Sequence, residues 1–412
     1  MRVLIIEQAY HGGHYLNYVR YLVQAFAPLG CEIVVAVPKS ALESAQFKMY
    51  VSPHRPRFQL EFIPSRKAIG RWRMVQTDAR VFRELMDRVK PDAVYIPTLE
   101  RMAQSLAWWL ALRRSRLPRP HCEALLLGLA DAYGMSRRPF FTRMALHLMP
   151  FDVVHYIDPV VFDWVLSKVG GKAGRRARFI ADPIEPLPLP TRSQACAMLG
   201  LPERKKLIMS IGMQDERKGV DYLIAACARW RPAEPASIVL AGMLSSQINE
   251  LVSKQYRHLV DDGRLIVLDR YLSNEDINAC CAAGDLIATP YRPQPHPSNI
   301  ALHAATAGKM VLAANNGWFA YMFPKFSLGL LCDPQDPELL AETLDPALRE
   351  AERYKLCPAA KRLVEFHRSE NFVLQWRREL NRIIGKSGGA SPRDWNWVLN
   401  GEQRGAEGYQ DF

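Results

Sequence analysis

Apolar positions along the chain alternate between two textures, short unbroken runs and longer segments with apolar residues three and four apart. The run RVLIIE (2–7) is followed by the turn-like AYHGGH, and NYVRYLVQAFAPLG (17–30) then has helical spacing that ends on Gly30 before the strand-like CEIVVAV (31–37). This is a βαβ start. Further strand candidates are DAVYIP (92–97), EALLLGLA (123–130) and DVVHYI (152–157), separated by helical segments such as DARVFRELMDRVK (78–90) and RMAQSLAWWLALRRSRL (101–117). Strands that are apolar throughout and alternate with helices predict a parallel sheet covered on both faces.

Between Asp182 and Pro202 the text turns proline-rich (DPIEPLPLP), and a second alternating series opens at KKLIMSIG (205–212). It runs through helix VDYLIAACARW, strand ASIVLAGM, helix SQINELVSKQYRHLV, strand RLIVLD, helix NEDINACCAAG, strand DLIATPY, helix SNIALHAATAG and the strand-like KMVLAANN and LGLLCD. Two amphipathic helices follow, PELLAETLDPALREAERY (337–354) and ENFVLQWRRELNRII (370–384). The predicted organisation is an N-terminal domain over 1–188, a C-terminal domain over 189–365, a C-terminal helix over 366–385 and a tail over 386–412, with no repeat at solenoid periods.

Composition narrows the class. With 412 residues, 49% hydrophobic and 23% charged, the chain suits a globular protein of more than one core. No apolar run approaches the roughly 18 to 20 residues of a membrane span, and the apolar start is shorter than a secretory signal, so a cytoplasmic protein is expected. Eight cysteines lack the spacing of a zinc site or a disulfide framework. The net charge of +12 is uneven: residues 1–190 hold about 27 basic and 16 acidic side chains, roughly +11. Such a field attracts nucleic acid, anionic lipid headgroups or a phosphorylated substrate alike, although no nucleic-acid recognition motif accompanies it. The basic, tryptophan-bearing stretches RKAIGRWRM and WWLALRRSRLPRP suit either an anionic membrane surface carrying a lipid-linked acceptor or helices packed on the sheet.

Ligands of open α/β sheets bind beyond the carboxyl ends of strands, where helix N-termini present amides and a partial positive charge. In PQPHPSNIALHAATAGKM (293–310), Ser298 and Asn299 are good N-caps after an apolar strand, and the amides that follow suit a phosphate. His303, five residues after Ser298, reads either as a hydrogen-bonded core histidine or as a ligand contact, and His296 as a solvated loop residue or a substrate contact. In SIGMQDERKGVDYL (210–223), Arg217 and Lys218 lie in a strand-to-helix loop, where a pair of cations neutralises a leaving diphosphate. The HGGH loop allows close backbone approach at Gly12 and Gly13, or forms a plain tight turn. His14 on that loop, and Thr98, Glu100 and Asp131 at strand ends, are the acceptor-side candidates; the last three also suit helix caps or ordinary surface. No phosphate-loop GKS or GKT, no GxSxG and no HExxH is present.

Taken in order, RVLIIEQAYHGGHYLNYVRYLVQAFAPLGCEIVVAV, IADPIEP, SIGMQDERKGVDYLIAA, IVLAGM and LIVLDRYLSNEDINACCAAGDLIATPYRPQPHPSNIALHAATAGKMVLA resemble the retaining nucleotide-sugar glycosyltransferases of family 4 over roughly residues 1–385. The resemblance implies the α/β GT-B fold, two Rossmann-like domains with parallel sheets facing a cleft, the C-terminal helix returning to the N-terminal domain. It implies a UDP- or GDP-linked sugar donor, with no metal and no further cofactor, and a glycan or lipid-linked acceptor, in cell-surface polysaccharide or glycoconjugate synthesis at the inner face of a membrane. Lys218 matches the lysine on the donor diphosphate, Ser298 and Asn299 the phosphate-holding turn, Tyr271 the base-holding turn, and Gly12 and Gly13 the loop that closes over donor and acceptor. Two family glutamates eight positions apart are here Pro295 and His303, and a loop arginine is Met213. A catalytically silent binder of a sugar nucleotide or partner enzyme is the competing expectation.

Overall fold

The computed structural model describes residues 1–8, 15–64, 71–99, 120–136, 139–149, 151–185, 188–386 and 390–401. The chain forms two units, one of Met1–Asp182 with Ser369–Trp395, the other of Pro183–Arg368 with a short segment from Asn396.

The first unit is built on β1 (Arg2–Ile6), β2 (Glu32–Pro38), β3 (Gln59–Ile63), β4 (Ala93–Ile96), β5 (His121–Leu126), β6 (Val153–Tyr156) and β7 (Ala177–Phe179). They lie in the order β3-β2-β1-β4-β5-β6-β7, and the pairings are parallel, Val3 standing between Ile33 and Ala93. Among its helices are α1 (Tyr15–Phe26), α2 (Arg71–Val89), α3 (Pro139–Leu148), α4 (Pro159–Trp164) and α5 (Gly171–Arg176). Alternate strand residues feed two cores. Val3, Ile5, Val35 and Tyr95 pack with α1 on one face, while Leu4, Ile6, Val94 and Leu126 pack with Phe82 and Leu85 of α2 on the other. The late helix α13 (Ser369–Ile383) joins the first face by burying Phe372, Trp376 and Leu380, a stripe at four-residue spacing, against Tyr18, Tyr21 and Tyr95.

The second unit repeats the plan with β8 (Lys206–Ile211), β9 (Ala236–Ala241), β10 (Leu265–Leu268), β11 (Leu286–Thr289), β12 (Val311–Ala314) and β13 (Gly329–Cys332), in the order β10-β9-β8-β11-β12-β13 and parallel throughout. Its helices include α6 (Arg192–Leu199), α7 (Val220–Arg229), α8 (Asn274–Ala283), α9 (Asn299–Thr306), α10 (Gly317–Phe326), α11 (Pro337–Arg353) and α12 (Pro358–Phe366). Thr191 and Ser273 start α6 and α8 with capping boxes, each hydroxyl accepting from the third helical amide while its own backbone amide donates back to the side chain there, Gln194 and Asp276. In both sheets the order reverses beside the first strand, between β1 and β4 and between β8 and β11, the place where open α/β sheets form their ligand crevice. Among the described residues no helix is long and apolar enough to cross a membrane.

Candidate functional site

The crevice of the second unit is built by backbone crowding. Gly212 follows β8 at φ +96°, and a Cβ on Gly242, which follows β9, would lie 2.0 Å from the Gly212 carbonyl oxygen. A Cβ on Gly219 would fall 1.9 Å from the Pro290 carbonyl oxygen, so the loops after β8 and β11 touch through their main chains. Gln214, fully buried, stitches the first loop: its amide nitrogen donates to the carbonyls of Ser210, Gly212 and Ala241 at 3.1, 2.7 and 3.0 Å, and its oxygen accepts from Ser210 Oγ at 2.9 Å.

This frame fixes Lys218. Asp215 caps the turn, its carboxylate accepting from the Lys218 amide at 3.0 Å, and the lysine chain folds back so that Nζ donates to the Ile211 carbonyl at 2.8 Å. The ammonium lies 5.4 Å from the centre of the Tyr291 ring, and Lys218 is only 8% exposed. Among the described residues the ammonium has one hydrogen-bond acceptor, and an ammonium carries three donors. Arg217 donates to Gln294 Oε1 at 2.6 Å and lies 3.6 Å from Asp215, while its carbonyl accepts from the Arg292 amide at 3.0 Å. Arg292 forks onto Asp221 at 2.8 and 2.7 Å and stacks over Tyr222, which pins the second loop to α7.

The structure thus brings Arg217 and Lys218 together with the Gln294–Ser298 loop. His296 keeps an exposed edge, yet crowding and then the Arg217 charge hold its imidazole below the ordinary histidine value. Ser298 caps α9, its hydroxyl accepting from the Ala301 amide at 3.3 Å, and Asn299 opens the helix, whose positive end joins the cations. His303 is buried within α9. Tyr271 follows β10, two strands from β8, and is half exposed. Met213 is also exposed, so the guanidinium held on this loop is that of Arg217. Beside Tyr291 a cavity of about 620 Å³ opens at the ends of β11, β12 and β13, lined by Arg292, Asn315, Asn316 and Asp333 among others.

In the first unit, His14, Gly12, Gly13 and Glu100 lie outside the described residues. At its crevice Glu7, fully buried, accepts both carboxylate bonds from Thr98 Oγ1 at 2.9 and 2.7 Å. Asp131 follows β5 on a short turn and accepts from Thr142 Oγ1 of α3 at 2.8 Å, a bond that ties helix to turn. Asp158 caps α4 and accepts from Tyr133 at 2.5 Å; burial outweighs these bonds and pushes its carboxyl up to about 7. Sequence reasoning passed over Glu7, Gln214, Tyr291 and Gln294. Only Glu7, a carboxylate closing an apolar run, left a local signal. Among the described residues no group of three or more His, Cys, Asp or Glu gathers as a metal-ligand set.

Two parallel-sheet Rossmann-like units of matching strand order, each with its crevice at the reversal of the order, define the GT-B class of fold. Residues 194–364, which carry the Lys218 loop and α9, match the family model described as Glycosyl transferases group 1. D-inositol 3-phosphate glycosyltransferase of Salinispora arenicola is 31% identical over 172 residues, 38% of this chain and 37% of that protein, so the chain aligns with little more than a third of its curated relative. Sucrose-phosphate synthase from Thermosynechococcus elongatus shares the fold with a TM-score of 0.71 and 20% identity, over 94% of this chain and 100% of that one. Anabaena HepE in complex with UDP-glucose does so with a TM-score of 0.66 and 16% identity, over 93% and 100%.

Proposed function

We propose that the protein is a glycosyltransferase that moves a sugar from a nucleoside-diphosphate donor to a hydroxyl of a glycan or lipid-linked acceptor, with retention at the anomeric carbon. The observation that carries this reading is the buried ammonium of Lys218, held at the crevice of the second unit beside Arg217 and the positive end of α9. Cleavage of the bond between the anomeric carbon and the phosphate oxygen leaves a diphosphate whose growing charge these groups stabilise. Retention brings the acceptor oxygen to the face from which the phosphate departs, so the phosphate oxygen itself is the base within reach of the acceptor proton. The UDP-glucose bound in HepE supports a uridine-linked donor. In this reading His296 is assigned to the sugar and Tyr271 to the base, His296 on the strength of its loop beside Arg217 and Gln294.

Lys218→Ala tests the assignment: turnover falls by about a hundredfold to a thousandfold in a variant that still unfolds cooperatively, its melting temperature lowered only as far as the lost bond to the Ile211 carbonyl requires, and near-normal turnover rules it out. A second reading, a silent protein that binds the sugar nucleotide without turning it over, is supported by proline and histidine at positions 295 and 303. A thermal-shift panel of nucleotide sugars followed by a transfer and hydrolysis assay separates the two, since binding without turnover supports the second.

A further inference from the structure

Helix α3 carries an apolar face that no described element covers. Phe140 is 70% exposed, Phe141 58%, Met144 43% and Leu148 63%, and at 100° per residue these four fall within one arc of about a quarter turn. The opposite side anchors the helix: Leu146 and Met149 are buried, and Thr142 bonds Asp131. Two aromatic rings packed edge to face at the start of a short helix form a convex apolar wedge. Soluble proteins seldom leave such a contiguous surface unused.

The flank of this wedge is basic. Arg143, one step round the helix, lies against the Trp164 ring, and a Cβ on Gly171 would meet His147 Cε1 at 3.2 Å, so α5 with its exposed Lys172 and Arg175 adjoins that side. Between α5 and the preceding turn, which carries Lys168 and the exposed Leu166, runs an open groove of about 820 Å³ with glycines at 170, 171 and 174. Residues 135–178 hold eight basic and three acidic side chains.

We propose that α3 is an interfacial helix that docks the first unit on a bilayer rich in anionic lipid, its phenylalanines entering the acyl boundary while the basic flank meets the headgroups. Apolar area and positive charge side by side are what such a surface selects. A second copy of the chain is disfavoured as the occupant, because it brings the same positive flank against itself. The proposal concerns a different unit from the Lys218 site and stands whether or not the protein transfers sugar.

Co-sedimentation of the full chain with phosphatidylcholine vesicles, with and without about 30% phosphatidylglycerol, tests it. The expected result is binding to the anionic vesicles, weakened by about 0.5 M salt, and reduced at least tenfold in the Phe140→Asp/Phe141→Asp variant at an unchanged melting temperature. Because both side chains are mainly exposed, the variant keeps its fold. Failure of the wild type to bind either vesicle, or equal binding by the variant, overturns the proposal. So does a dimer in solution that the double substitution dissociates without vesicle binding, which assigns the face to a second copy.

Discussion

Replacing Gly212 by alanine puts a methyl group 2.5 Å from Lys218 Nζ and 3.8 Å from Cε, while the backbone stays at φ +96°. The obstructed atom is the end of a flexible side chain, so the ammonium yields and the sheet does not. The positive φ costs about 1–2 kcal/mol in an L-residue. Losing the ammonium bond to the Ile211 carbonyl adds about 1.5–3 kcal/mol at most, less whatever water returns to the displaced group. If the charge withdraws from about 4 to about 6 Å from the departing phosphate, its stabilisation drops by about 1.4 kcal/mol at an effective dielectric of about 20, roughly tenfold in kcat.

Gly212→Ala is therefore expected to fold with stability lowered by about 2–4 kcal/mol and to turn over about tenfold more slowly. Gly242→Ala is the contrast: its Cβ would meet the Gly212 carbonyl at 2.0 Å, backbone against backbone, and that variant is expected not to fold. Denaturant titration and steady-state transfer measure both quantities. The decisive comparison is a double-mutant cycle, because Gly212→Ala has nothing left to displace once Lys218 is alanine. Turnover within twofold of wild type, or a further tenfold loss in the Lys218→Ala background, refutes the mechanism.

Two pH dependences follow from buried carboxyls. Asp158, pushed up to about 7 from 3.8 by burial, holds a proton in the folded state that the unfolded chain has released, so wild-type stability declines as pH rises between these values; Asp158→Asn flattens that decline, and equal wild-type and variant differences at pH 5 and pH 8 would reject it. Glu123 is fully buried on β5, but hydrogen bonds from His121 and His155, at 2.8 and 2.7 Å, outweigh its burial and hold it below the usual carboxylate value. His121, despite its own burial, is raised by the same partner, so its contribution is present below the ordinary histidine value and lost as pH rises through the raised one. Glu123→Gln is expected to cost about 2–4 kcal/mol, more at pH 6 than at pH 9; a penalty independent of pH would show that the pair does not titrate as described.

Most strands were legible because they are apolar runs, whereas β3 (QLEFI), largely half-exposed, and the three-residue β7 carry no such run and were not foreseen. Lys218 and the Ser298 cap were legible for the same local reason, as a cation and a hydroxyl at strand-to-helix turns. What made them one site was not. Gln294 reaches Arg217 across 77 residues of sequence, and Gly242 matters only because Gly212 passes beneath it. Strand order decides such pairings, and no local pattern encodes strand order. Asp131, read as an acceptor contact, a helix cap or ordinary surface, bonds a threonine on α3, a partner that no local pattern announces. In that same helix, PFFTRMALHL is apolar on nearly every side, and periodicity alone cannot tell which side meets the sheet. The structure turns Leu146 inward and leaves the phenylalanines out, so the residues that give the helix its hydrophobicity contribute little to the unit's own core. A surface of that kind is costly to keep in water, which is the physical ground for proposing that a bilayer receives it.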